Sequence, residues 1–480
     1  MLFNSFEFIV FFIVIVFLYF SIPYKHRWLL LLLGSYYFYM SWKPEYGIIM
    51  LFATAVNYFC GRLIGRANSQ KKKKIYLSAS LISTLSVLFA FKYFNFFNEL
   101  TRTALAQFSI KNNVPFFNLL LPVGISFFTF QALSYAIDVY RGEQKPEKHF
   151  GYFALYISFF PQLVAGPIER STNLLPQLTE RKNDFNFHRA ADGVKLMMWG
   201  FFKKIVIADR LALYVNQVYN NPHDYFGLTL VIATYFFAFQ IYCDFSGYSD
   251  IASGSAKIMG YDLMKNFNRP YFSKTIAEFW RRWHISLSTW FKDYLYISLG
   301  GNRVDSLKKS FNLLFVFLVT GLWHGANLTF VAWGFLHGLY IFASRKLGSA
   351  KKKLLDFLNI DGTNFFLRIF QMFVTFNLVS FSWIFFRANN ISDAFYIISH
   401  LFDKLSVFKG VALFGRYDFM VAISSVIFLL TVQSIQSRGQ IRELLNNKSI
   451  FLRWFCYYLI FLGILFFAVD QGNQFIYFQF

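Results

Sequence analysis

Charge is what this chain has least of. Asp, Glu, Lys and Arg supply 15% of its 480 residues, against roughly a quarter in ordinary soluble domains. That deficit excludes a water-facing surface over most of the molecule. Acidic residues are scarcer than basic ones, 25 against 47, for a net charge of +22. Such a surplus invites a nucleic-acid reading. The positive residues, however, gather in short loops at Lys71–Lys74, Arg141 to Lys148, Lys308–Lys309 and Lys351–Lys353. This is the positive-inside pattern of cytoplasmic loops, and no nucleic-acid partner is expected. Cysteine is nearly absent, and Cys60, Cys243 and Cys456 stand too far apart for metal-ligand spacing. The sequence also lacks an HExxH motif, a Gly-rich phosphate loop, internal repeats and any separate soluble domain. No basic stretch precedes the first apolar run, which therefore reads as a retained span rather than a cleaved leader.

What is present is apolar: 56% hydrophobic and 22% aromatic. Runs at Phe6–Tyr24, Val114–Ile137, Tyr225–Cys243, Ile369–Phe386 and Trp454–Val469 approach the roughly 20 residues that cross a bilayer as a helix. The expected class is an all-α, polytopic integral membrane protein with about 10–12 transmembrane helices. Lys25-His26-Arg27 follows the first span, so the N-terminus is read as outside. Spans over 28–42, 46–65, 75–94 and 116–137 then return the chain to the cytoplasm at "YRGEQKPEKH". Spans near 366–386, 417–435 and 453–470 would leave the final "NQFIYFQF" outside.

Two stretches break this bookkeeping. "FGYFALYISFFPQLVAGPIER" looks long enough to cross, yet a basic segment follows it directly. Pro161 and Gly166-Pro167 interrupt helix geometry, so the segment reads as re-entrant, which membranes tolerate only where protein or a wet cavity surrounds the backbone. The second stretch, Ser310–Ser344, has 35 residues without a formal charge between two basic ends. It reads as a hairpin of slightly short helices bent near Gly321–Gly325. His324 lies about 22 Å along from Lys309 at 1.5 Å per residue, close to the bend.

"FSKTIAEFWRRWHISLSTWFKDYLYISLGGNR", residues 272–303, reads as one helix with Trp280, His284, Ser288 and Phe291 on a shared face. Its tryptophans suit an interfacial belt. An ionisable group inside a membrane is costly and marks function by default, which singles out His324. His337 reads as a side chain bonded to a neighbouring helix. Asp138 and Asp244 sit near expected span ends, facing a polar cavity or paired with an arginine. Imidazole takes and returns a proton near neutral pH. Both histidines therefore suit either proton abstraction from a hydroxyl or a transient acyl relay.

"PVGISFFTFQALSYAIDVYRG", "FPQLVAGPI", "FWRRWHISLSTWFKDYLYISLGGNR", "TGLWHGANLTF", "FSWIFFR" and the final "FIYFQF" together resemble the membrane-bound O-acyltransferase family, in its bacterial alginate O-acetyltransferase branch. The resemblance implies a single membrane domain over 1–480: N-terminal helices in 1–110, a catalytic core in 111–345 and C-terminal helices in 346–480. Re-entrant and interfacial helices would surround a central tunnel. His324 and His284 fall on the family's two histidine positions. Trp283, Arg281, Arg282, Ser288, Trp323, Asn327, Gln162 and Pro167 become candidates for the tunnel and substrate contacts. Leu328 departs from the tryptophan expected in "GANWTF". The implied donor is cytoplasmic acetyl-CoA, with no bound cofactor and no metal. The implied partners are a polysaccharide acceptor, an extracytoplasmic SGNH or esterase-like acetyltransferase and the lipid of a bacterial inner membrane. Arg281, Arg282 and Arg303 would meet donor phosphates or anionic lipid. D-alanyl transfer from a carrier protein and polysaccharide transport are the alternative functions. In every version His324 is expected in a hydrated channel reachable from both sides.

Overall fold

The computed structural model describes residues 1–117, 119–164, 166–180, 183–405, 414–469 and 475–476. Among the described residues the regular structure is helical, with no strand. Helix suits lipid, because each backbone N–H and C=O is then met within its own segment. Glu45–Arg66, Gln70–Ala106, Leu228–Met259, Phe365–Arg387, Arg416–Arg438 and Ile450–Phe467 are long and apolar enough to span. Phe6–Ser21 is shorter and apolar. Helices of 17 to 19 residues at Tyr24–Met40, Ile125–Arg141, Ser306–His324 and Leu328–Lys346 carry more polar side chains. The protein is an all-α, multi-pass membrane protein. Its chain divides into two compact units, Met1–Met197 with Ile251–Met264, and Met198–Asp250 with Lys265–Phe480.

The first unit opens with α1 (Phe6–Ser21), α2 (Tyr24–Met40), α3 (Glu45–Arg66) and α4 (Gln70–Leu88). Helices α3 and α4 are joined by a buried polar lock. Asn57 donates to the Ala53 carbonyl and to Thr84 Oγ1, both at 2.8 Å, and accepts from Ser80 Oγ at 2.6 Å. The polar loop expected after residue 94 lies further on, because the helix continues through a π-turn at Phe89–Tyr93 into α5 (Phe94–Ala106). The next span also begins later than expected. Residues 111–117 and 119–124 are irregular, since Pro115 and Pro122 lack the N–H a helix needs, and α6 runs Ile125–Arg141.

The re-entrant segment consists of α7 (Phe150–Ser158) and α8 (Phe160–Leu163). Nine residues rise about 14 Å, under half of a hydrocarbon core of roughly 30 Å. Protein side chains meet backbone groups freed at the break. The Tyr156 carbonyl accepts from Gln131 and Gln162 side chains at 2.5 and 2.8 Å, and Phe160 N–H donates to Ser35 Oγ at 3.1 Å. Beyond it, α9 (Ser171–Glu180) grips an extended strip of backbone. Gln177 pairs with both the N–H and the carbonyl of Asp262, at 2.8 and 2.9 Å, and Glu169 accepts from Met264 N–H. Asp138 also belongs here, accepting from Ser171 Oγ at 3.3 Å.

Helix α10 (Phe187–Phe201) leads into a π-turn at Phe202–Ala208, α11 (Asp209–Asn220) and α12 (Leu228–Met259). The wider π-turn aims two consecutive lysines into the second unit. Lys204 Nζ reaches Asp209, five residues on, at 2.8 Å, and Asp244 at 2.7 Å. Lys203 Nζ reaches Asp250 at 2.8 Å and Ser246 Oγ at 2.9 Å. Asp244 is therefore not near a span end. It lies mid-way along a 32-residue helix, its charge met by a lysine, not an arginine. Its second oxygen accepts Ile476 N–H at 2.7 Å. Phe475 and Ile476 are buried, so this part of the closing motif is packed into the second unit; the rest of that motif lies outside the described residues.

The long helix expected over 272–303 is broken. It consists of α13 (Ile276–Trp280), α14 (Ile285–Trp290) and a π-turn at Phe291–Tyr296, with His284 in the left-handed region between the first two. Trp280, Trp283 and Trp290 are buried in protein, not spread along an interface. The hairpin reading fits: α15 (Ser306–His324) and α16 (Leu328–Lys346) are joined by a three-residue turn. A Cβ on Gly321 would lie 2.2 Å from the Phe330 carbonyl oxygen, and one on Gly334 2.3 Å from that of Phe317. Only glycine allows this approach of two backbones. After α17 (Gly348–Phe357), α18 (Phe365–Arg387) packs along α16, followed by α19 (Ile391–His400) and the helices Arg416–Ile435 and Ile450–Phe467.

Candidate active site

The site is built from one loop and one hairpin of the second unit. In the loop, His284 adopts φ 42° and ψ 56°, a conformation costing about 1–3 kcal/mol for a side chain of this kind. Asn266 holds it there. The Asn266 carbonyl accepts from Ile285 N–H at 2.9 Å, while Asn266 Oδ1 receives Ser286 N–H at 3.3 Å, Ser286 Oγ at 2.9 Å and His284 Nδ1 at 3.1 Å. The backbone N–H fixes which end of the Asn266 amide is oxygen. His284 Nδ1 must therefore carry the proton, and Nε2 is left with the lone pair. The ring is fully buried, with Phe245 edge-on at 4.5 Å. Burial pushes its pKa down to about 3.

On the hairpin, His324 is the last residue of α15 and only 3% exposed. Trp323, Trp333 and Phe386 surround its ring with centroids at 4.9, 5.0 and 5.2 Å. These three rings come from α15, α16 and α18 and pack directly on the imidazole. Trp323 also meets His284, at 6.1 Å, so one indole stands between the two histidines. Deeper in the same packing, Trp280 Nε1 donates to His337 Nδ1 at 3.2 Å. His337 Nε2 then carries its proton and donates to Ser382 Oγ at 2.9 Å, and that hydroxyl donates to the Val379 carbonyl at 2.7 Å. Every polar side-chain atom in this series of hydrogen bonds is satisfied, so His337 is a structural tie between helices.

The chain matches the model of the membrane-bound O-acyltransferase family over residues 148–382, which contain both histidines. It is 39% identical over 383 residues to the "Probable alginate O-acetylase" of Pseudomonas aeruginosa, covering 79% of this chain and 70% of that protein. The protein belongs to the membrane-bound O-acyltransferase family. It is 35% identical over 395 residues to the peptidoglycan O-acetyltransferase of Helicobacter pylori, covering 77% of this chain and 72% of the relative. Similarity to the teichoic acid D-alanyltransferase of Streptococcus thermophilus is lower, at 30% over 293 residues, 56% of this chain and 69% of the relative.

In this acyltransferase the other candidate positions have varied surroundings. Trp283 is buried and stacked on Phe279 at 5.4 Å. Ser288 Oγ donates to the Trp283 carbonyl at 3.2 Å, closing the His284 loop. Arg282 pairs with Glu278 at 2.6 Å, whereas Arg281 and Arg303 are exposed. Asn327 stands at the N-cap of α16. It caps α16 by accepting Thr329 N–H at 3.0 Å and donates to the Asn389 carbonyl at 3.1 Å. Leu328, in place of the expected tryptophan, is exposed. Gln162 and Pro167 are buried in the first unit, where Gln162 serves the helix break. Sequence reading missed Asn266, whose "KNFNRP" context resembles an ordinary loop. It also missed the lysines at 203 and 204, which look like one more basic loop. Trp333 carried a usable signal, since it stands four residues before His337 on one helix face.

Proposed function

We propose that this O-acetyltransferase takes an acetyl group from acetyl-CoA on the cytoplasmic side of a bacterial inner membrane and delivers it for O-acetylation of a polysaccharide outside. The observation that carries this reading is His324 at the tip of a membrane hairpin, enclosed by aromatic rings and one indole away from a second, neutral histidine. Enclosure suits acyl transfer, because water excluded from the site cannot hydrolyse the thioester. His324 acts as general base: it takes the proton of the attacking hydroxyl as oxygen bonds to the acetyl carbon, then returns it to the departing thiolate. His284 Nε2, held as an acceptor by Asn266, orients the donor or receives a second proton. The group passes to an extracytoplasmic esterase-like partner, which completes acetylation of the glycan. Identity to alginate and peptidoglycan acetylating relatives over most of the chain supports the acetyl reading over D-alanyl transfer.

The test uses purified protein in sealed proteoliposomes with labelled acetyl-CoA and an outside acceptor. Wild type transfers label without any carrier protein, and His324→Ala loses about 10²–10⁴ in rate, the usual worth of a general base. A normally folded His324→Ala protein that transfers at full rate refutes the mechanism. Activity that appears only with an acyl-carrier protein replaces it with D-alanyl-type chemistry.

A further inference from the structure

The aromatic packing against His324 contains two kinds of indole. Trp280 has its N–H paired with His337, and the atoms beyond are paired in turn. Trp333 and Trp383 differ. Both are 0% exposed, and the Nε1 atom of each is buried without a hydrogen-bond partner among the described residues. A buried donor left unpaired is destabilising, and native interiors pair all but a few of them. Two such donors in one layer require a reason.

Their placement supplies it. The Trp333 ring stands edge-on to His324 at 5.0 Å and 89°. Trp383 stacks on Trp333 at 5.7 Å and 20°. Phe386 touches all three rings, at 5.2 Å from His324, 5.3 Å from Trp333 and 5.1 Å from Trp383. The unsatisfied donors thus belong to the rings packed on and behind the proposed base. The satisfied donor, Trp280, lies against His337.

We propose that the indole N–H groups of Trp333 and Trp383 donate hydrogen bonds to the oxyanion that forms on the acyl carbonyl during transfer at His324. This rests on the assignment of His324 as the base. As the hydroxyl oxygen bonds to the acyl carbon, its proton passes to His324 and the carbonyl π pair moves onto oxygen. The indoles stabilise that negative oxygen. The pair then returns, the carbon–sulfur bond breaks, and the thiolate takes the proton from the imidazolium. Indole suits this role because it donates only and carries no competing lone pair. It also keeps its surroundings apolar, where a donor aimed at developing charge counts most.

The experiment replaces Trp333 or Trp383 by 3-benzothienylalanine, which keeps the bicyclic shape and puts sulfur where the N–H stood, with Trp→Phe as a second variant at each position. Expected is a loss of about 10²–10³ in kcat, the effect of deleting one oxyanion donor, with KM changed by less than about 3-fold. A thionoacetyl donor, whose sulfur is a weak acceptor, is a far poorer substrate than the oxygen thioester for wild type and only slightly poorer for the variants. The same replacement at Trp280 lowers the thermal midpoint instead. If His324→Ala is silent while both benzothienyl variants keep kcat, or raise KM alone, the donor assignment falls and the base stands. If His324→Ala is fully active, the underlying reading itself falls.

Discussion

At the scale of single residues, His284 is set by Asn266 rather than by its own helix. Oδ1 of Asn266 accepts three times and fixes the imidazole tautomer. Asn266→Ala should lower kcat by about 10–100-fold, as loss of an orienting partner does elsewhere, with the protein still folded by size exclusion. Asn266→Asp keeps the acceptor but adds a negative charge beside Nδ1, which favours the imidazolium. Its activity should decline on the acid side of neutrality where wild type stays flat, and identical pH profiles would dismiss the pairing. Burial also links His284 to stability. Its folded pKa, near 3, lies below the unfolded value of about 6.5. The unfolded chain therefore binds the extra proton, and stability is lost as pH falls from about 6.5 toward 3. His284→Gln should lose less melting temperature between pH 7 and pH 5 than wild type, measured in the same detergent.

At the scale of elements, the hairpin of α15 and α16 depends on Gly321 and Gly334 meeting backbone to backbone. Because the nearest atoms are carbonyl oxygens, a methyl group at either site must push the helices apart. Gly321→Ala and Gly334→Ala should each cost about 1–3 kcal/mol or more. The double variant should cost less than their sum, because the first methyl already opens the space for the second; thermal unfolding in detergent reads this directly. The lysine–aspartate cluster gives a different signature. Lys204 is 1% exposed and bridges Asp209 and Asp244. Removing one partner of a buried pair costs about 3–5 kcal/mol, because a lone charge remains. Lys204→Met should be strongly destabilised, and adding Asp209→Asn should recover part of the loss. No recovery would mean that packing, not charge, sets the cost.

At the scale of the whole molecule, the basic loops bear on the proposed direction of the reaction. Lys71–Lys74 and Lys308–Lys309 are expected on the cytoplasmic side by the positive-inside rule. In oriented vesicles, acetyl-CoA supplied on the side of these lysines should support transfer, while the same donor confined to the opposite side should not. Equal activity from both sides would abolish the proposed vectorial path. Protease protection of the Lys71–Lys74 loop reports the orientation in each preparation.

The amino-acid sequence by itself determined the membrane class, most spans, the hairpin and the two histidines worth following. These are local properties: lipid forces continuous apolar helix, charge marks the ends, and glycine and proline mark the breaks. Tertiary structure alone decided the left-handed turn at His284, because the Asn266 that holds it sits eighteen residues upstream. It placed Lys204 inside the protein and Asp244 in mid-helix, since each is tolerated only with the other beside it. It also enclosed His324 in tryptophan and phenylalanine from three helices. Such pairings join residues far apart in the chain, and no window of hydropathy or helical period contains both partners.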